Sequence, residues 1–275
     1  MSECSHNCET CASKDSCANN YDKVNEKMSR IKNKIFVLSG KGGVGKSTVA
    51  ALIAVSLAKE GFNVGLLDVD FHGPSQPTLF KVQNVRLGAT EDNELEPLEI
   101  AGIKLVSIGL LLEDADQAVI WRGPAKMGVL KQLLEETAWG DLDYLICDFP
   151  PGTGDEILSG CQLIEGDKRA VIVTTPQELS LADCRKCIDF CKKAELPVAG
   201  VVENMSYFVC DNCDKKHYIF NNGGGRQMAE KYGLKLIATL PVDNKFLAQC
   251  DESNIAVALK NSPLFQKELE SVTEL

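Results

Sequence analysis

One nine-residue stretch, Gly40 to Thr48, constrains this chain more than any other. It reads Gly-Lys-Gly-Gly-Val-Gly-Lys-Ser-Thr and contains the G-x-x-x-x-G-K-[ST] pattern of a phosphate-cradling loop. The run Lys34 to Ser39 before it is apolar and has the character of a buried parallel strand. Val49 to Lys59 after it is rich in alanine and leucine at helical spacing. Strand, glycine-rich loop and helix are the setting this motif needs. Glycines let successive backbone N–H groups turn inward around phosphates, and the helix N-terminus adds its positive dipole end. Gly40, Lys41, Gly42, Gly43, Val44, Gly45, Lys46, Ser47 and Thr48 are therefore expected to hold a nucleotide. Lys46 is placed for the β- and γ-phosphates, and the Ser47 hydroxyl for Mg²⁺.

The downstream strands supply carboxylates. Asn63 to Asp70 is a second buried strand ending in two of them. Strands of an α/β fold deliver functional groups at their C-terminal ends. Asp70 is expected to orient an attacking water and Asp68 to support the Mg²⁺ shell, although both positions also suit strand capping. Asp143 to Asp148 is another such strand, and Asp148 is expected to hold Mg²⁺ or its water. The Pro150-Pro151-Gly152-Thr153-Gly154 turn that follows offers an amide for sensing the γ-phosphate.

Between these, Leu98–Ile100 and Ile103–Ile108 suggest a hairpin or edge strands. Trp121-Arg122-Gly123-Pro124 opens a helix through Thr137. Ala170 to Thr175 and Val198 to Val202 are two more central strands, separated by a helix from Ser180 to Lys193. Asn204 is expected at the adenine edge. Pro241, after a strand from Leu236 to Leu240, is expected to line the adenine pocket. Residues 262–275 have the pattern of an acidic amphipathic terminal helix.

A net charge of −10 argues against non-specific nucleic-acid binding. No apolar run approaches the roughly 20 residues needed to span a membrane. The first residues have neither the basic nor the apolar region of a signal peptide, so a cytoplasmic protein is expected. That compartment keeps thiols reduced, and metal or cluster ligation is the better use for clustered members of the 12 cysteines.

Residues 1–30 are expected to form a separate polar tail, and 31–275 the folded domain, because the apolar pattern of the core begins at about Ile31. The tail carries Cys4, Cys8, Cys11 and Cys17, four thiolates that suit a [4Fe–4S] cluster, with a Cys₄ zinc site as the chemical alternative. His6 is taken as solvated. Cys184, Cys187 and Cys191 share one face of their helix and are expected to be a core stripe. Cys147, Cys161 and Cys250 are treated as core residues too. Cys210 and Cys213 sit in a loop, where C-x-x-C geometry brings both sulfurs to one metal. His217 could add a third ligand but is not counted on for it.

Taken in order, the phosphate loop with Lys41, Asp70-x-x-Gly-Pro-Ser75, Trp121-Arg122-Gly123-Pro124, Asp148-x-Pro-Pro-Gly-Thr-Gly-Asp155, Val202-Glu203-Asn204-Met205-Ser206 and the Cys210–Cys213 pair resemble the Mrp/ApbC-type iron–sulfur cluster carrier ATPases over residues 32–275. The cysteine-bearing tail is similar to that of the Nbp-type branch, with Cys4 nearer to Cys8 than in its eukaryotic members. The resemblance implies a deviant P-loop NTPase like the nitrogenase iron protein. Its fold would be doubly wound and α/β, with a mostly parallel sheet flanked by helices. It also implies a homodimer, in which Lys41 reaches the partner's nucleotide as an arginine finger does. Implied too are slow ATP hydrolysis and handover of a [4Fe–4S] cluster to apo iron–sulfur proteins. An ATP-driven electron donor and a positioning ATPase are the alternatives, the latter disfavoured by an acidic C-terminus.

Ligand counting adds one expectation. A [4Fe–4S] cluster takes four thiolates, and the loop offers two. A two-fold axis past the loop would join two C-x-x-C pairs, so that the cluster bridges subunits.

Overall fold

The computed structural model describes residues 23–112 and 123–275. Cys4, His6, Cys8, Cys11 and Cys17 lie outside the described residues, as do Trp121 and Arg122.

The strand before the phosphate loop, β1 (Ile31–Leu38), shows why the sheet is built as it is. Ile35 and Val37 enter one hydrophobic cluster, Phe36 and Leu38 the other, and all four are fully buried. A strand buried on both faces belongs in the middle of a parallel sheet. It pairs in parallel with β5 (Leu142–Asp148) on one side and β6 (Lys168–Thr174) on the other. Outward from β5 come β2 (Val64–Asp68), β4 (Ile103–Ser107) and the short antiparallel β3 (Leu98–Ile100). Outward from β6 come β7 (Val198–Glu203) and β10 (Lys235–Thr239), both parallel. A two-stranded hairpin, β8 (Phe208–Val209) with β9 (Lys216–His217), stands apart from this sheet.

Helices cover both faces. The helix after the phosphate loop, α2 (Lys46–Lys59), packs with α8 (Asn244–Glu252), α9 (Ile255–Lys260) and α10 (Pro263–Glu268) around one cluster. The other cluster gathers α4 (Gly123–Glu136), α5 (Asp155–Leu163), α6 (Glu178–Lys193) and α7 (Gly224–Tyr232). A four-residue helix, α3 (Gln76–Leu79), leads away from the end of β2. This is the doubly wound α/β architecture that the motifs imply.

Two boundaries differ from the expectation. Residues 23–29 form a helix, α1, whose Val24 and Met28 are fully buried in the second cluster. The folded body thus reaches back to residue 23, and a division at residue 30 cuts through it. The segment is polar at all its other positions, and that polarity hides a two-residue apolar stripe from a compositional reading. The terminal segment is likewise not one helix: α10 ends at Glu268, and Glu270–Glu274 tightens to a 3₁₀ turn. Three residues per turn puts Leu269, Val272 and Leu275 on one face, and all three are buried. The helices α8 and α9, for which the apolar pattern gave no expectation, are each started by a side-chain cap, Asp243 and Asn254.

Candidate functional site: a phosphate loop and an exposed cysteine hairpin

Parallel strands end on the same edge, and that edge carries the chemistry. The loop Gly40–Gly45 joins β1 to α2, with Gly43 and Gly45 at φ values of 79° and 80°. Both fall in the left-handed region that glycine enters without strain. At Gly40 a side chain is excluded for another reason: a Cβ there would run into the α6 backbone at Asp183 and Cys184. The loop opens on a cleft of about 370 Å³ lined by Ser39, Lys41, Lys46, Ser47, Asp70 and Pro151, among others.

Lys46 is buried and ion-paired with Asp148, which is wholly buried at the end of β5. Its ammonium also lies 3.3 Å from Ser47 Oγ. The second Asp148 oxygen accepts from Gln76 Nε2 at 2.8 Å, and the same amide donates to the Ser47 carbonyl at 3.0 Å. Gln76 Oε1 is buried without a hydrogen-bond partner. Sequence reading missed Gln76. Its signal was a polar residue following the Gly73-Pro74-Ser75 turn, where a loop would leave it solvated, yet it is fully buried.

Asp68 stands beside Asp148 in register on the neighbouring strand. Its oxygens accept from the Asp70 and Gln76 amides at 3.1 and 3.2 Å and from Ser107 Oγ at 2.9 Å. Complete burial, reinforced by the charge of Asp148, pushes its carboxyl up to about 7. Asp70 lines the cleft, its carboxylate accepting the His72 and Gly73 amides at 3.3 Å each. His72 contacts Lys126 at 2.7 Å, and Lys126 pairs with Glu156 at 2.6 Å. The Pro150–Gly154 turn is tied to the loop by Gly152 N donating to Ser39 O at 2.8 Å.

Asn204 is buried behind the loop, its amide donating to Val44 O at 2.9 Å. It is fixed by its own N–H to Thr174 O at 2.8 Å, while Glu203, also buried, receives Ser206 Oγ at 2.5 Å and the Gly225 amide. Pro241 is buried just past β10.

The second feature is the β8–β9 hairpin. Its root is anchored: Tyr207 hydroxyl donates to Glu268 at 2.7 Å, and Lys216 lies 3.7 Å above the Tyr207 ring. Its tip is a turn closed by Cys210 N to Lys215 O at 3.0 Å and Asp214 N to Cys210 O at 2.9 Å. Cys213 is exposed and Cys210 half-buried. Backbone amides of Asn212 and Cys213 lower the Cys210 pKa, a setting that favours thiolate. The hairpin also brings His217, the less favoured third ligand, to the cysteines: all three donor atoms lie within 4.8 Å of one another. Counting along the chain hid this, because His217 meets Cys210 across the strands.

The remaining described cysteines behave otherwise. Cys147, Cys161, Cys184, Cys187, Cys191 and Cys250 are buried. Burial pushes the Cys161 and Cys250 thiols up to about 11, which keeps them inert.

Comparison with known proteins agrees with this geometry. The family described as ParA, NUBPL iron-transfer P-loop NTPase, matches residues 30–275. An iron–sulfur cluster carrier protein of Methanocaldococcus jannaschii is 43% identical over 100% of this chain and 98% of its own. One from Saccharolobus solfataricus is 46% identical over 87% and 80% of the two chains. Among solved structures, the nucleotide-binding protein of Archaeoglobus fulgidus, in complex with ADP and with cobalt found in it, superposes with a TM-score of 0.77. It is 39% identical and covers 89% of this chain and 94% of its own. The septum site-determining protein MinD of Pyrococcus horikoshii, complexed with Mg-ADP, shares the fold at a TM-score of 0.63 and 22% identity, covering 89% and 95%. The chain belongs to the NUBPL iron-transfer P-loop NTPase family.

Proposed function

We propose that the protein is an ATP-dependent carrier of iron–sulfur clusters, working as a homodimer that hands a [4Fe–4S] cluster to apo-proteins. One observation carries this reading. A phosphate loop with its buried Lys46–Asp148 pair and an exposed C-x-x-C turn grow from the same end of one parallel sheet. The first can bind and cleave a nucleotide, and the second can hold a cluster and let it go.

At the nucleotide end, the oxygens of Ser47 and Asp148 and the unpartnered Gln76 Oε1 form a hard-donor set that fits Mg²⁺. Bound there, the ion supplies charge neutralisation for phosphoryl transfer. Asp68 sits behind this set with both oxygens engaged, and supports it by holding Gln76 and the backbone at Asp70. Lys46 neutralises phosphate charge, Asp70 orients the attacking water from the cleft wall, and Lys41 serves the partner's nucleotide. Asn204 and Pro241 frame the base side of the loop.

At the other end the cargo needs four thiolates, and each subunit offers Cys210 and Cys213. Two hairpins facing each other across a two-fold axis complete the set, and the exposure of the turn leaves the cluster accessible to an acceptor. Cys4, Cys8, Cys11 and Cys17 would hold a second cluster.

The test is an anaerobic preparation reconstituted with iron and sulfide, then mixed with an apo-ferredoxin. Intact transfer of the cluster, with loss of the donor's visible absorption, is the expected result. Electron transfer with the cluster retained would identify a reductase and overturn the carrier reading.

A further inference from the structure

We infer that Lys126 is a positioning residue for nucleotide hydrolysis: it ties the Asp70 loop to the Pro150–Gly154 turn and so holds two walls of the nucleotide cleft in fixed relation. This rests on the reading that Asp70 orients the attacking water, and goes beyond it by naming what keeps Asp70 in place.

Asp70 is only loosely held by its own loop. Its carboxylate accepts the His72 and Gly73 amides, both at a long 3.3 Å, and the residue is half-buried at the cleft wall. Phe71 turns into the apolar cluster shared by α4 and α5, while His72 beside it stays exposed. The His72 ring is therefore a place where another element can grip the loop.

Lys126 grips it. Its ammonium lies 2.7 Å from His72 Nε2, and because an ammonium only donates, Nε2 is the acceptor. The same ammonium donates to Glu156 Oε1 at 2.6 Å. Glu156 stands in the first turn of α5, directly after the Pro150–Gly154 turn. Its other oxygen folds back to 2.7 Å from where a Cβ on Gly154 would lie. That turn is bonded to the phosphate loop through Gly152 N and Ser39 O, and its Pro151 lines the same cleft as Asp70. Lys126 is not among the described residues lining that cleft, so it reaches the reaction through His72 and Glu156.

This bridge differs from an ordinary surface ion pair. The Lys126 and Glu156 side chains are only 13% and 15% exposed, so solvent and salt screen them little. Burial works to raise the Glu156 carboxyl, yet the hydrogen bond from Lys126 prevails and holds it below its ordinary value. Lys126 also sits in the first turn of α4, where the helix dipole disfavours a cation, while Glu156 sits where the α5 dipole favours an anion. The lysine serves its partners rather than its helix.

The test is steady-state ATP hydrolysis by the full-length chain. Lys126→Met removes the charge and keeps the aliphatic stem. It should lower kcat about tenfold, while KM for ATP and affinity for ADP change by less than about twofold because the phosphate loop is untouched. Lys126→Arg, which can donate to both partners, should restore at least about half of the wild-type kcat. His72→Ala and Glu156→Gln should each lower kcat in the wild-type chain and add nothing to Lys126→Met, since all three changes break one link. Unchanged kcat in Lys126→Met would overturn the inference, as would a raised KM with kcat retained, or losses that multiply across the three sites. If Lys126→Met fails to bind ADP, it has not folded, and the His72→Ala/Glu156→Gln pair decides. A double variant no slower than the slower single supports the link, and multiplied losses refute it. Asp70→Ala, run alongside, separates the two readings. Wild-type turnover in it removes the water-orienting role, whereas lost turnover in it beside an undiminished Lys126→Met sinks the role of Lys126 alone.

Discussion

The two ends of the proposed machinery are built on opposite principles. The phosphate loop is over-determined: glycines at two left-handed positions, a backbone-to-backbone contact at Gly40, and Lys46, Asp148, Gln76 and Asp68 buried and bonded to one another or to shared backbone groups. The cysteine hairpin is held at its root by Tyr207, Lys216 and Glu268 and at its tip by one exposed ion pair, Asp211 with Lys245 at 3.3 Å, and presents its thiols to solvent. Binding a nucleotide repeatedly in one geometry calls for preorganised dipoles and buried charge. Releasing a cargo calls for ligands whose loss costs the fold nothing. The contrast teaches that stability and function are coupled at one end of this sheet and separable at the other.

Lys46→Ala should break the coupled end hardest. It removes the charge that meets the phosphates, and nucleotide turnover should fall by about 10²-fold or more. It also leaves Asp148 buried without its cation, a loss of roughly 3–5 kcal/mol in stability, read by chemical denaturation. If turnover collapses while stability holds, the pair is functional only and the comparison is too sharp.

Asp68 gives the next largest effect, through pH. Its folded pKa, raised from the ordinary 3.8 to about 7, means that the native state binds more protons than the unfolded chain between those values. Wild-type stability attributable to Asp68 is therefore fully present at low pH and lost as pH rises toward 7, by at most about 4 kcal/mol. Asp68→Asn does not titrate. Whatever fixed offset it introduces, the stability of wild type minus variant should decrease from pH 5 to pH 8 in thermal melts.

The smallest stability effect belongs to the hairpin. Cys210→Ala/Cys213→Ala should change unfolding free energy by less than about 0.5 kcal/mol, as exposed substitutions do. It should leave ATP binding intact while removing iron from this end. A large destabilisation would place the turn in the fold rather than in cargo handling.

How much of this was legible in the sequence follows the same division. The phosphate loop, Asp68, Asp70, Asp148 and the C-x-x-C pair announce themselves through local spacing, and the parallel sheet through double-sided apolar strands such as β1. Gln76, Ser107 and Glu203 did not, because their roles depend on what a distant strand or loop brings to them. His217 was discounted for a related reason: the hairpin register, not sequence distance, sets it beside Cys210. The start of the folded body was misplaced because Val24 and Met28 are two apolar residues in a polar stretch, and only the sheet they pack under reveals them.

The central claim is that two chains share one cluster, and mixed dimers test it most directly. Subunits with Cys4, Cys8, Cys11 and Cys17 changed to Ser would be paired with subunits carrying Cys210→Ala/Cys213→Ala as well. Iron, sulfide and visible absorption would then be measured on the isolated mixed dimer. The account predicts no stable [4Fe–4S] cluster in it, and a full complement of four irons and four sulfides held by one intact hairpin would contradict it.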